Sequence, residues 1–150
     1  MEMIDPNMEQ QVWQRGTGHS ATEPRQEDFR SLMLAALEAA AVYRQLAAAF
    51  TGTAKERMKR LYEGEMANIA CLKGIRKLSG GGVGKLPALS APKEPAEKAL
   101  EKRYHHARRA MVEYMSRAAD PEFGVLFEKI AQREREHCAV LAELIGGLGR

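Results

Sequence analysis

Residues 79–95 read SGGGVGKLPALSAPKEP; Gly80, Gly81, Gly82 and Gly84 come first, and Pro87, Pro92 and Pro95 follow. Glycine loosens the backbone and proline removes an amide donor, so neither a helix nor a central strand runs through such a stretch. It reads as a long flexible crossover over about 79–94, and what lies on either side decides the fold. Upstream, residues 54–78 (AKERMKRLYEGEMANIACLKGIRKL) carry apolar groups at helical spacing. Downstream, residues 95–119 (PAEKALEKRYHHARRAMVEYMSRAA) do the same, with Pro95 suited to a first helical turn.

Further out, residues 26–50 are rich in the best helix formers, and TGT at 51–53 separates them from the next helix. Asp120–Pro121 stops the third helix and offers Asp120 as N-cap to a fourth over 121–146, which GGLG closes. No segment alternates with the period of a strand. The connections run short, long, short. The reading is all-α: a four-helix bundle over 26–150, made of two antiparallel helical hairpins joined by the crossover. A plain up-down-up-down bundle is the alternative, because a flexible linker does not set topology. Residues 1–25 form a polar arm whose one large apolar group, Trp13, docks on the body or on a partner chain or stands exposed.

The totals bound the function. A chain of 150 residues, 45% apolar and 29% charged, fits one soluble domain with a real core. The net charge of +3 is too small to imply nucleic acid. Around KRYHHARR the charges are mixed, without a pattern of exposed aromatics. Cys71 and Cys138 lie far apart without CxxC spacing, so neither a disulfide framework nor a zinc knuckle is expected. The acidic, polar opening is no signal peptide, and no apolar run looks long enough to span a bilayer. A reduced, cytoplasmic protein with no nucleic-acid or membrane partner follows as the expectation.

Within the helices, several polar residues share the apolar line. On the fourth, the line is Phe123, Phe127, Ile130, Glu134, His137, Leu141, Leu144; on the second, Met58, Leu61, Tyr62, Glu65, Ile69, Leu72. On the first, Glu38 shares a line with Ala35, Val42, Leu46 and Ala49. Burying even one unpaired charge is costly, so three inward carboxylates need a reason. Each stands at a similar distance from its hairpin turn, so hairpins packed with their turns at one end bring all three into one layer. His137 lies on the face of Glu134, one turn along. A layer of carboxylates with an imidazole suits a cation: iron or manganese, with zinc compatible. The competing reading pairs the buried acids with Arg44, Arg108 or Arg109.

With these residues in view, the chain resembles the ferritin-like superfamily, and within it the small rubrerythrin-like proteins without a rubredoxin domain. The resemblance covers about residues 26–146. In that family the first and third helices each supply a Glu, and the second and fourth each supply Glu-x-x-His, together holding two metal ions. Glu38 matches the first-helix ligand, with Tyr43 an aromatic position of such helices. Glu65 matches the second-helix Glu, and Glu134 with His137 the complete fourth-helix motif. Two positions depart: Asn68 stands where the second helix carries His, and HHA at 105–107 where the third carries Glu. Ala107 cannot bind a metal, and His106 sits on the flank as a replacement ligand.

The resemblance implies a metal-binding bundle whose ligands are Glu38, Glu65, Glu134 and His137, with His106 as the extra donor. It also implies di-iron redox chemistry with dioxygen or peroxide, and a homodimer. Rubredoxin-type cysteines are missing, so an external electron donor is required. The rival expectation is a degenerate, non-catalytic bundle acting as a scaffold or interaction module. Asn68 is assigned to hydrogen bonding around the site, and both cysteines to small buried apolar groups.

Overall fold

The computed structural model describes residues 26–82 and 84–148, with side chains from residue 29 onward. Trp13 and the rest of the 1–25 arm lie outside the described residues. Four helices account for most of what is described: α1 Gln26–Ala49, α2 Gly52–Leu78, α3 Ala96–Ser116 and α4 Gly124–Leu148. No strand occurs among the described residues.

Local chemistry sets the helix ends. Gly52 turns the chain between α1 and α2 at φ 62°, a left-handed conformation that a Cβ disfavours. Lys55 Nζ donates to the Ala47 carbonyl at 2.9 Å, satisfying one of the free acceptors at the end of α1. At the end of α2 the Gly81 amide donates to the Arg76 carbonyl at 3.0 Å and the Gly80 amide to Lys77 at 3.1 Å, a Schellman closure. Gly80 takes the left-handed position it requires, at φ 87°. Asp120 caps as expected, accepting from the amides of Glu122 and Phe123 at 2.8 and 2.7 Å. Those residues form a turn of their own, so α4 starts at Gly124, not at residue 121. It then runs on through Gly146 and Gly147, which were expected to close it.

α1 packs along α2 and α3 along α4; the two hairpins meet through α2 on α4 and α1 on α3. The core divides in two along the bundle. One cluster joins Phe29 and Met33, at the start of α1, to Leu72 and Ile75, Tyr114, and Phe123, Phe127 and Ile130. The other joins Tyr43 and Leu46, at the end of α1, to Met58 and Leu61, Leu100, and Leu141. The hairpin turns therefore stand at opposite ends, not at one end. Gln45 Nε2 also donates to the Pro92 carbonyl at 2.9 Å, tying the last part of the 79–95 connection to the end of α1.

The expected apolar line shifts on α1, and α3 turns a charged residue inward. On α1 the buried residues are Phe29, Leu32, Met33, Ala36, Ala39, Ala40, Tyr43, Leu46 and Ala47; Ala35, Glu38 and Ala49 are exposed. On α3, Arg103 is buried with Leu100 and Ala107, while Tyr104 is only half-buried. By length and composition Phe29–Ala49 is apolar enough to cross a membrane, contrary to expectation. In this bundle its apolar face supplies much of the core.

Candidate metal centre

Glu65 is the midpoint residue of α2, and Glu134 and His137 lie near the midpoint of α4. A mid-helix residue keeps its height whichever way the hairpins point. That is why the layer forms although the turns are at opposite ends. All three side chains sit in the apolar line of their helix and are nearly sealed: Glu65 is 3% exposed, Glu134 2% and His137 5%. One ligand atom from each lies within 4.8 Å of the others.

The imidazole organises the group. His137 Nδ1 is 2.9 Å from Glu65 Oε2 and 3.4 Å from Glu134 Oε2. An N–H at that nitrogen donates to the carboxylates, since neither offers a donor when ionised. Asn68 Nδ2 donates to Glu134 Oε2 at 2.9 Å, and Arg133 donates to Asn68 Oδ1 at 3.0 Å. Asn68 thus does what its position suggested, orienting a carboxylate by hydrogen bonding. The Tyr43 ring meets the His137 ring edge-on, with centroids 5.9 Å apart. On the other side the ring lies against Gly64, where an added Cβ would come 2.5 Å from Nε2. A mid-helix glycine is costly for α2, and here it makes room for the histidine.

Protonation follows from burial and mutual contact. Burial pushes the Glu65 carboxyl up to about 8, a rise that contact with His137 only partly offsets. Burial opposes the imidazolium of His137, but Glu134 and Glu65 outweigh it and lift the ring to about 9. Burial also works against the Glu134 charge, yet its contacts with His137 and Glu65 hold it below the usual carboxylate range. At neutral pH the trio is a neutral Glu65, an ionised Glu134 and an imidazolium, with no net charge.

Arg103 is the residue that the sequence reading passed over. It is buried, and its guanidinium carbon lies 5.2 Å from the Tyr43 ring centroid. Burial opposes its charge, but Tyr43, Glu65 and Glu134 together hold it above its ordinary value. Its signal was the spacing Leu100–Arg103–Ala107, masked by the neighbouring Tyr104. Of the arginines offered as ion-pair partners, Arg44 lies over Tyr62 and Arg108 over Tyr104, while Arg109 lines the α1–α3 cavity that also reaches Glu65 and Glu134. Among the described residues, His137 is the ion-pair partner of both buried acids.

Glu38 and His106, both expected as ligands, are exposed and absent from the buried trio. Glu38 is therefore not one of the inward carboxylates. Both residues do line a cavity of about 310 Å³ between α1 and α3, together with Glu65, Glu134 and Arg103. The exposed pair stands at its mouth and the buried acids at its floor.

Carboxylate oxygens and an imidazole nitrogen at this separation could hold one metal ion. The Arg103 charge faces the same acids and opposes a second cation beside them. No protein-family model, curated protein or solved structure matches the chain.

Proposed function

We propose that this protein is a ferritin-like bundle that binds a single transition-metal ion at Glu65, Glu134 and His137. One observation carries the reading: three ligand atoms within 4.8 Å of one another, on fully buried side chains at mid-bundle. Such a donor set suits iron or manganese, and zinc is compatible. Opposite hairpin turns, α1 on α3 and α2 on α4, and the long 79–95 connection support the crossover topology that the ferritin-like resemblance implies.

Bound iron would supply electron exchange with dioxygen or peroxide, with electrons drawn from a separate donor. The chain's own residues do the rest. Glu65 and His137 give up their protons to become ligands. Asn68 holds the Glu134 carboxylate in orientation, and Arg133 holds Asn68. Two carboxylates offset one divalent ion, and the Arg103 charge beside them opposes a second. The α1–α3 cavity gives small molecules a path to the acids, with Glu38 and His106 at its mouth as further donors.

The second reading is a metal-free scaffold. The trio, Asn68 and Arg133 bond to one another, a buried polar network of the kind that makes a bundle specific without an ion. Metal analysis by mass spectrometry, after expression in iron- and manganese-supplemented medium, separates the two. The metal reading expects about one ion per chain in the wild type and none in His137→Ala. A folded wild-type chain without metal would favour the scaffold.

A further inference from the structure

His137 divides two cavities. Nδ1 faces the acids, and the ring's other edge borders a separate cavity of about 370 Å³ between α2 and α4. Arg57, Arg60 and Arg133 line that cavity, with Glu136 as the acidic group among them. Arg57 pairs with Glu143 at 2.6 Å, and Arg133 spends one nitrogen on Asn68. Three guanidiniums against Glu136 and Glu143 leave an excess positive charge around the opening. The ring's hydrogen bonds to the described residues are all made through Nδ1. Nε2 thus has no hydrogen-bond partner among the described residues, although the side chain is nine-tenths buried. Gly64 supplies the space that lets this edge approach α2.

An imidazole with a metal on Nδ1, or one protonated on both nitrogens, carries an N–H on Nε2. Metal-bound histidines place that N–H on an acceptor as a rule. Here no acceptor stands among the described residues, and the cavity that borders this edge is ringed by arginines. Guanidiniums recognise phosphate and carboxylate through paired, charge-assisted hydrogen bonds.

From this geometry we infer that the α2–α4 cavity is a binding site for a small phosphate-like oxyanion, held by Arg57, Arg60 and Arg133 with the Nε2 edge of His137 at its inner end. The site does not depend on metal binding, and the chain from Arg133 through Asn68 to Glu134 connects it with the buried acids.

The test uses the full chain in chelator, with ¹⁵N-histidine, titrated with inorganic phosphate against sodium chloride of equal ionic strength. Saturable movement of the His137 Nε2 signal with phosphate, absent with chloride, is expected. Arg60→Gln, which removes an exposed guanidinium with no protein hydrogen bond to lose, should weaken binding about tenfold, the loss of one charge-assisted contact. Movement matched by chloride, equal or tighter binding of acetate, or unchanged affinity in Arg60→Gln would overturn the assignment. Because metal is excluded, failure here leaves the metal reading standing, and loss of the metal reading leaves this one standing.

Discussion

Glu65 and His137 both hold a proton at neutral pH in the metal-free chain, and both must release it to bind a metal. Loading the site at pH 7 should therefore release about two protons per ion, measured by calorimetry in buffers of different ionisation enthalpy. Release near zero would mean that these are not the ligands. The same protons set the stability of the metal-free chain. Glu65 rises from 4.5 to about 8, so the folded state keeps a proton that the unfolded state loses, and stability falls as pH climbs through that window. His137 rises from 6.5 to about 9; its contribution is complete below 6.5 and is lost as pH rises through 9. Both act in one direction, so the melting temperature in chelator should fall between about pH 5 and about pH 9. Glu65→Gln should flatten that fall, because the amide mimics the protonated carboxyl. A melting temperature that rises over the range contradicts the assignment. Glu134 and His137 were legible in the sequence because large apolar residues on α4 draw a sharp stripe around them. Glu38 was misplaced because alanine covers every face of α1, so no periodicity marks which side is buried.

Along the helices, glycine gives a controlled comparison. Gly64 and Gly74 both lie inside α2. An added Cβ at Gly74 meets nothing within 4 Å, whereas at Gly64 it would strike the His137 ring. Gly74→Ala should stabilise by about 0.5–1 kcal/mol through backbone entropy and helix propensity. Gly64→Ala gains the same propensity but pushes against a buried ring held by two acids, an overpacking cost of about 1–3 kcal/mol. The net change at residue 64 should be destabilising, with weakened metal binding. Chemical denaturation of the two variants checks both signs, and equal stabilisation would mean that His137 does not sit against α2. The boundaries near Asp120 and Gly146 were legible only approximately: the Asp120 cap is real, but a turn intervenes before α4. Arg103 was passed over because Tyr104 and the basic residues around it hid its helical spacing to Leu100 and Ala107.

For the whole molecule, the run of four helices and the length of the 79–95 connection were readable from glycine, proline and alanine content. The relative direction of the hairpins was not, since a flexible connection permits either. The proposed crossover makes a physical demand on that connection. It must travel the length of α3, about 32 Å at about 1.5 Å per residue. Deleting residues 83–90 leaves a reach of about 30 Å at about 3.3 Å per residue, before any sideways travel between diagonal helices. That variant should lose cooperative unfolding, as seen by circular dichroism. An up-down-up-down bundle, whose connections need only turn the chain, would tolerate the deletion.

The most direct test of the metal centre is ions per chain in the purified, folded protein beside His137→Ala and Glu134→Gln. The account predicts about one ion in the wild type and none in either variant, with helical content unchanged. A folded wild-type chain that takes up no iron, manganese or zinc would contradict it. So would uptake of about two ions, which would show that Arg103 does not take the place of a second cation.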